Sequence, residues 1–364
     1  MIEADPKSNF ARKPSSSFLW AKPLMRGVKK AFARIVALST SSSVLLLGTA
    51  AMTACAAPGG ARDVGTEQAA GPSPANAPWG PTPLDPANVA WRGGTTRFAQ
   101  ACADWDDWDK PAPPFQVLGD TFYVGTCGIT ALLIVSPEGH ALIDSGTVAG
   151  ADAVLANIRA LGFDPSDVKY VLHSHEHFDH VGGHAAIVAA TGAEVVASAE
   201  AAAVLTRGQV GPGDPQAGIH DPMQPVAVDR LVGDGDTLQV AERTLTAHAT
   251  PGHSPGALSW TWTACTLPGE PPVCRRIAYV DSLSPVSADG YRFADHPAYL
   301  AAYRAGIAKV AALGCDILLT PHPSASDMIA RLGNGKWEDQ AACRNYADDI
   351  ADRLDARLSE EEDG

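Results

Sequence analysis

Basic residues are scarce in this sequence, and the few present are unevenly distributed. Lys and Arg number 27, whereas Asp and Glu number 41. Eight of the bases and only two of the acids precede residue 35, so the chain after Cys55 carries 19 bases against 39 acids. Because a body this acidic repels phosphate backbones, the composition argues against nucleic acid as a partner.

Long hydrophobic runs are also absent from the sequence. The apolar stretches near the start, residues 35–38 and 44–47, are too short to span a bilayer. They follow a basic flank and precede small residues, which is typical of an export signal. We therefore assign residues 1–55 to export, with Met25 as an alternative start to Met1, and expect the mature protein in a bacterial periplasm.

The export segment ends in a motif, Met-Thr-Ala-Cys, that is similar to the cleavage box of bacterial lipoproteins. It favours lipidation of Cys55, and with it a lipid anchor to a membrane; ordinary cleavage beside this cysteine is the alternative. Residues 56–91 are rich in Pro, Gly and Ala and poor in aliphatic side chains, so they predict a flexible tether. The folded domain is expected to cover residues 92–364.

Cysteine is infrequent, with seven in 364 residues. Six remain besides Cys55, an even number that fits disulfide bonds in an oxidising compartment. Sequential pairing is the simplest interpretation because Cys265 and Cys274 flank a Pro/Gly turn segment, and buried free thiols are the alternative. The disulfide candidates are Cys102, Cys127, Cys265, Cys274, Cys315 and Cys343.

Short apolar runs alternate with segments of helical periodicity along the body. Residues 131–135 and 141–143 are typical of strands, and the apolar spacing over residues 154–161 predicts a helix. Residues 230–240 are predicted as strand, after a Gly/Pro-rich loop at 207–225 that is a candidate flap beside a substrate. Since this alternation occurs twice, the sequence predicts an α/β layered fold.

The densest chemical signal is a cluster of histidines directly after the predicted strand that ends at Leu172. The motif His-Ser-His-Glu-His-Phe-Asp-His places four imidazoles and two carboxylates between His173 and His180. Imidazole nitrogen and carboxylate oxygen are preferred zinc ligands. A His-x-His pair on extended backbone points both rings the same way, towards one metal ion. Because Asp179 and His180 follow shortly after and can face a second position nearby, one such loop can contribute ligands to two metal ions.

Two further histidines lie in rigid turns after apolar strands. Residues 250–256 place His253 between two Pro/Gly pairs, and His322 stands between two prolines. We therefore predict two zinc sites, each with a position left open for water, as in catalytic zinc sites. The expected ligands are His175, His177 and His253 for the first zinc, and Asp179, His180 and His322 for the second.

Two serine-hydrolase patterns are also present, and each lacks a feature that its chemistry requires. Gly252 to Gly256 fits Gly-x-Ser-x-Gly, but the residue after the serine is Pro255, which has no N–H for an oxyanion hole. Ser166 and Lys169 fit Ser-x-x-Lys, but they enter a predicted strand and no Lys-Thr-Gly follows. Metal-dependent chemistry is thus the better interpretation.

The histidine motif resembles that of the metallo-β-lactamase superfamily, His-x-His-x-Asp-His, which is matched from His175 to His180. Further segments over residues 100–360 are similar to the third subclass of class B β-lactamases: Leu-Ile-Asp-Ser-Gly ending at Gly146, Gly-Asp-Pro-Gln ending at Gln216, Thr-Pro-Gly-His-Ser-Pro-Gly ending at Gly256, Asp-Ser-Leu-Ser ending at Ser284, and Pro-His-Pro ending at Pro323.

The resemblance implies a four-layer αββα sandwich with the active site along one edge of the sheets. It also implies a monomeric enzyme with two Zn²⁺ per chain that confers antibiotic resistance by hydrolysing penicillins, cephalosporins and carbapenems with metal-activated water. Asp179 would both bind zinc and orient the nucleophile. The alternatives are a dinuclear zinc hydrolase of a lactone or thioester, and a non-catalytic periplasmic zinc-binding protein.

The segment that ends at Ser284 separates these alternatives. Many superfamily hydrolases, such as glyoxalase-type thioesterases and lactonases, carry an aspartate here that bridges both metals. In the subclass resembled, the aspartate does not bridge and the serines face the cleft. Asp281 is thus expected to be structural, and Ser282 and Ser284 to contact the substrate carboxylate; Tyr291 either polarises a bound carbonyl or is structural. His173 and His248 are expected to be packing or surface residues, or residues that orient a ligand ring, rather than ligands themselves.

Overall fold

The computed structural model describes residues 94–103, 107–267 and 271–363. All of them belong to one unit that spans Ala69–Gly364. The expected export segment 1–55 with its alternative starts, the lipidation candidate Cys55 and the expected tether 56–91 lie outside the described residues.

Twelve strands and eight α-helices are formed by the described residues. The strands are β1 (Phe115–Leu118), β2 (Thr121–Tyr123), β3 (Leu132–Ile134), β4 (His140–Ile143), β5 (Val168–Leu172), β6 (Glu194–Ala197), β7 (Arg230–Leu231), β8 (Thr237–Val240), β9 (Arg243–Ala249), β10 (Leu258–Cys265), β11 (Cys274–Tyr279) and β12 (Ile317–Leu319). The helices are α1 (Gly94–Ala101), α2 (Gly150–Ala160), α3 (Phe178–Val181), α4 (His184–Thr191), α5 (Ala199–Arg207), α6 (Pro297–Ala312), α7 (Met328–Gly333) and α8 (Ala342–Asp363). Among these helices, none combines the length and the apolar character that a bilayer crossing requires.

The strands form two sheets. β1 to β7 lie side by side in chain order in a seven-stranded sheet, and β8 to β12 form a five-stranded sheet in the order β12-β11-β10-β9-β8. β1 to β4 pair antiparallel, whereas β4 to β7 pair parallel. In the second sheet only β11 and β12 pair parallel. The parallel strands therefore direct their carboxyl ends, and the turns that follow them, to one edge of each sheet.

The sheets pack face to face around one apolar layer. Leu132 and Ile134 of the first sheet and Trp260 and Tyr279 of the second are fully buried in this layer. The outer face of the first sheet is covered by α2, and the outer face of the second by α6 and α8. The order of layers is helix, sheet, sheet, helix, so the predicted αββα sandwich is confirmed.

The prediction of one strand over residues 230–240 is wrong. β7 lies at the edge of the first sheet, beside β6, whereas β8 begins the second sheet. A tight turn separates them: the side chain of Asp236 accepts a hydrogen bond from Gly233 N at 2.8 Å, and Gly235 has a φ of 82°. Only glycine adopts that φ without strain, so the segment changes sheets here.

The six described cysteines are paired in sequence order, which is the simplest of the pairings considered above. The bonds are Cys102–Cys127, Cys265–Cys274 and Cys315–Cys343. The first joins the end of α1 to the segment after β2, and the third joins α8 to the segment before β12. Each of these two bonds therefore ties a helix to a segment that borders a strand.

Candidate metal centre

The six predicted metal ligands come together at one edge of the sandwich. Four of them follow β5, His253 follows β9 and His322 follows β12. All are buried except His322, whose side chain is 20% exposed. The topology therefore brings together donors that are up to about 150 residues apart in sequence.

The first predicted set is a cluster of three imidazoles. His175, His177 and His253 each offer a nitrogen, and these three atoms lie within 4.8 Å of one another. Nε2 of His175 is buried and has no hydrogen-bond partner among the described residues. A buried, unpartnered imidazole nitrogen is costly in a protein interior unless an ion binds it. This orphaned nitrogen fits a metal ligand.

The second predicted set has the spacing of a tetrahedral zinc site. Asp179 Oδ2 lies 3.2 Å from His180 Nε2 and 3.3 Å from His322 Nε2, and the two imidazole nitrogens are 3.2 Å apart. A tetrahedral zinc ion with bonds of about 2.0–2.1 Å separates its donor atoms by about 3.3 Å. Donor chemistry and spacing together fit a zinc-type metal ion.

Contacts with neighbouring residues hold the three imidazoles of the first set in place. His175 Nδ1 lies 2.9 Å from Asp281 Oδ1. His177 Nε2 donates to Asp214 at 3.1 Å, and His253 Nδ1 donates to the carbonyl of Ser284 at 3.0 Å. Each ring is thus held through one nitrogen and leaves the other for the cluster, which is the arrangement that orients metal-binding histidines.

Asp144 organises the loop that carries the histidine motif. Its carboxylate accepts hydrogen bonds from the backbone N and hydroxyl of Ser174, at 2.6 and 2.7 Å, and from the hydroxyl of Tyr279 at 2.6 Å. It also lies 3.4 Å from His180 Nδ1. One buried carboxylate thus connects both sheets to the metal-ligand loop.

Burial and neighbouring charge prepare the donors for a cation. Burial, together with the adjacent imidazoles, holds the pKa of His175 and of His253 well below the usual range, so these rings are neutral. Burial alone would raise the pKa of Asp179, but the adjacent His180 and His322 hold it well below its usual range. Burial opposes protonation of His180, yet Asp179 and Asp144 raise its pKa to about 10. A metal ion would replace that proton.

The predicted substrate residues lie in the segment after β11. Ser282 Oγ is buried and has no hydrogen-bond partner among the described residues, whereas Ser284 Oγ accepts a hydrogen bond from Arg353 at 2.7 Å. Tyr291 stacks on His296 with ring centroids 4.6 Å apart, and its carbonyl accepts a hydrogen bond from Arg357 at 2.9 Å. These contacts of Tyr291 favour the structural alternative, and its contact with substrate stays a prediction.

Of the roles expected for His173 and His248, their contacts favour packing over the orientation of a ligand ring. His173 Nε2 accepts a hydrogen bond from Ser198 N at 3.1 Å, and its Nδ1 has no partner among the described residues. His248 Nε2 instead lies 2.9 Å from the hydroxyl of Thr261 on the neighbouring strand.

Sequence reasoning missed three polar residues of the site. Asp214 holds His177 as described above, and the side-chain nitrogen of Gln216 lies 3.2 Å from His253 Nε2. Glu176 accepts hydrogen bonds from Ser254 Oγ and Gly256 N, both at 2.7 Å, and so fixes the turn around His253. The acidic residue between two motif histidines, and the Gly-Asp-Pro-Gln segment, were the available signals.

Several known proteins are similar to this chain in sequence and in fold. A model of the Metallo-beta-lactamase superfamily matches residues 124–266. The solved MIM-2 metallo-β-lactamase is 54% identical with a TM-score of 0.70, and the match covers 74% of this chain and 98% of that one. The chain belongs to the metallo-β-lactamase superfamily, in its subclass B3. Another B3-like structure, the metallo-β-lactamase MIM-1 from Novosphingobium pentaromativorans, is 48% identical with a TM-score of 0.70 and coverages of 73% and 98%.

Curated relatives match this superfamily member over shorter regions. A probable metallo-hydrolase of Burkholderia pseudomallei (strain 1710b) is 32% identical over 39% of this chain and 50% of its own length. A hydroxyacylglutathione hydrolase of Rhodospirillum rubrum is 32% identical over 31% of this chain and 35% of its own length. The chain thus spans half or less of these two relatives. Both names describe hydrolases.

Proposed function

We propose that this chain is a β-lactamase that uses two zinc ions to hydrolyse the lactam amide of penicillins, cephalosporins and carbapenems. The observation that carries the proposal is the pair of donor sets at one sheet edge, one of three imidazoles and one of Asp179 with two imidazoles. The match to metallo-β-lactamases over nearly their full length supports it.

Asp179 is the residue of the chain that acts on the attacking water. Zinc bound at this edge would supply Lewis acidity, which acidifies water and polarises a carbonyl. Because the neighbouring imidazoles hold the pKa of Asp179 well below its usual range despite its burial, the carboxylate is ionised at neutral pH. It therefore accepts a hydrogen bond from the nucleophile and orients it towards the lactam carbonyl.

The substrate carboxylate is assigned to the serines after β11. The unpartnered hydroxyl of Ser282 is free to donate to an anion, and the hydroxyl of Ser284 is held beside the guanidinium of Arg353. Arg353 thus brings a positive charge to Ser284 in a chain whose formal net charge is −14, and Asp349 lies 3.9 Å from this guanidinium. An anionic β-lactam is favoured here over a neutral ester.

The alternative within the superfamily is hydrolysis of a thioester or lactone, as the names of curated relatives suggest for those proteins. Asp281 argues against it. Its Oδ1 lies 2.9 Å from His175 Nδ1, and its Oδ2 accepts a hydrogen bond from Leu283 N at 3.1 Å. Its Oδ2 is thus held by the backbone of the turn, and its Oδ1 faces the Nδ1 side of His175 rather than the Nε2 side that fits a metal ligand, which argues against a carboxylate that bridges two metals.

A non-catalytic zinc-binding role is the third candidate. Each donor set contributes three protein atoms, which leaves a fourth tetrahedral position for water or substrate. Structural and storage sites usually fill all four positions with protein ligands. The incomplete sets thus favour catalysis.

We also propose that the protein acts in the periplasm, with Cys55 as its lipid anchor.

A hydrolysis panel tests the proposal. Purified protein is assayed with a penicillin, a cephalosporin, a carbapenem, a monobactam, an acyl-homoserine lactone and a glutathione thioester, before and after removal of metal with a chelator. We expect turnover of the penicillin, the cephalosporin and the carbapenem. This activity should be lost with chelator and recovered with zinc, and the monobactam should not be hydrolysed. Preferred turnover of the lactone or thioester, or full activity of the variant His177→Ala, would contradict the proposal.

A further inference from the structure

The short turn of residues 281–284, hereafter the 281–284 turn, contacts two rings of the three-imidazole set. At its start, Asp281 Oδ1 lies 2.9 Å from His175 Nδ1. At its end, the carbonyl of Ser284 accepts the hydrogen bond from His253 Nδ1 at 3.0 Å. The position of this one turn therefore sets the orientation of both rings.

The backbone of the turn is in an unfavourable conformation. Leu283 is fully buried and has a φ of 47°, in the left-handed region that non-glycine residues seldom adopt. Such a conformation persists only where the surroundings hold it in place. Within the turn, a hydrogen bond runs from Leu283 N to Asp281 Oδ2, at 3.1 Å.

Two buried tyrosines of the outer helical layer supply further contacts. The hydroxyl of Tyr303, on α6, donates to the carbonyl of Leu283. The hydroxyl of Tyr346, on α8, donates to the carbonyl of Ser282 at 2.6 Å. Two successive carbonyls of the turn are thus held from two different helices.

Tyr303 also packs against the other turn of the same set. A β-carbon at Gly252, the residue before His253, would collide with the ring of Tyr303. The ring therefore lies directly against the backbone that carries His253, while the hydroxyl reaches the 281–284 turn. The side chain of Tyr303 thus fixes the distance between the 281–284 turn and the turn that carries His253. These two turns must lie close together for His253 to reach the carbonyl of Ser284.

We propose that Tyr303 and Tyr346 are positioning residues that set the zinc affinity of the three-imidazole set through the 281–284 turn. The inference rests on the metal site of the proposed function, but not on its substrate. It assigns a role to the helical layer outside the second sheet, which has no donor atom in either set. Since the same turn carries Ser282 and Ser284, it also predicts an effect on the binding of an anionic substrate.

The test removes only the hydroxyls. Tyr303→Phe, Tyr346→Phe and the double variant are prepared free of metal, and zinc is titrated in competition with a chromophoric chelator. We expect each single variant to weaken one of the two zinc affinities about tenfold, and the double variant to weaken it more than either. The same titrations of these variants in a His322→Ala background, which retains the three-imidazole set, show which of the two zinc sites is weakened.

A second readout separates positioning from fold stability. At saturating zinc, the single variants should raise KM for a carbapenem severalfold and change kcat by less than about twofold, because the serines of the turn are displaced while the ligands are loaded. Ile350→Val, which trims a buried side chain of α8 in the same layer, should lower Tm and leave zinc affinity and KM unchanged. Tyr170→Phe, on β5 of the other sheet, controls for hydroxyl removal.

The outcomes are distinct. Unchanged zinc affinities in all three variants, with Tm lowered as in Ile350→Val, would overturn the inference and leave the proposed function standing. Zinc binding by the wild type without turnover of any β-lactam would overturn the proposed function, and the affinities would still decide the role of the tyrosines. A wild type that binds no zinc would overturn both.

Discussion

His177 Nε2 donates a hydrogen bond of 3.1 Å to Asp214, which lies on a loop 37 residues further along the chain. Asp214 is buried, and its other carboxylate oxygen accepts a hydrogen bond from Gln216 N at 2.7 Å. The contact fixes the ring of His177 so that Nδ1 remains for a metal ion. It also gives the Gly/Pro-rich loop at 207–225 a direct connection to the candidate metal centre.

We therefore expect Asp214→Asn to reduce zinc affinity or kcat/KM by tenfold to a hundredfold, the usual range for loss of a carboxylate that orients a metal-binding histidine. The amide keeps the size of the side chain but removes its charge. Zinc titration and steady-state kinetics at fixed zinc measure the effect. The exposed Asp221 of the same loop offers a matched control, Asp221→Asn, which should behave like the wild type. Equal behaviour of both variants would refute the role of Asp214.

The sequence was informative wherever a ligand lay in a short motif next to a strand. His175, His177, Asp179 and His180 come from one loop, and the turns around His253 and His322 are marked by Pro and Gly. The strands that precede these ligands, β5, β9 and β12, all end at the same edge of the sandwich. The membership of the donor sets followed from these few signals, whereas the αββα order followed from the family resemblance.

Contacts that depend on side chains from distant segments were beyond the sequence. Nothing in the pattern shows that Asp214 faces His177, or that Tyr346 reaches the 281–284 turn from a helix more than 60 residues away. The split of residues 230–240 between the two sheets was also missed, since strand propensity carries no information about which sheet a strand joins. Tertiary packing decided all three.

His322 provides a test of the number of metal ions. It belongs to the Asp179 set alone, where its Nε2 lies 3.3 Å from Asp179 Oδ2, and its Nδ1 donates to the carbonyl of Gly128 at 3.2 Å. We expect His322→Ala to bind one zinc ion per chain where the wild type binds two, because only the three-imidazole set remains complete. Elemental analysis after dialysis measures the content. His248→Ala, remote from both sets, should retain the wild-type value; equal zinc content in His322→Ala would rule out the second site.

Gly252 is required by the close approach of Tyr303. A β-carbon at this position would meet three atoms of the tyrosine ring, and the ring is fully buried and cannot move aside. We expect Gly252→Ala to lower the free energy of unfolding by about 1–3 kcal/mol, as overpacking of a core does. Urea unfolding monitored by fluorescence measures it. At Gly213 a β-carbon meets no atom within 4 Å, so Gly213→Ala should change stability by less than about 0.5 kcal/mol. Equal losses in the two variants would contradict the packing argument.

His184 is buried as a neutral ring, which makes stability depend on pH. Burial lowers its pKa to about 3, and its Nδ1 lies 2.7 Å from the hydroxyl of Ser145. In the unfolded chain the pKa of a histidine is about 6.5. Below pH 6.5 the unfolded state therefore binds a proton that the folded state does not, and stability is lost progressively as the pH falls from about 6.5 to about 3.

We expect the wild type to lose about 2 kcal/mol more of its unfolding free energy than His184→Gln when the pH falls from 7.5 to 5, because one pKa unit corresponds to about 1.4 kcal/mol. Urea unfolding of both proteins at several pH values measures the difference. Ser145→Ala is the matched control: it removes the hydrogen-bond partner but keeps the imidazole, so it should lower stability at every pH and retain the wild-type slope. If the curves of wild type and His184→Gln ran parallel over this range, His184 would not be the buried neutral group that the structure indicates.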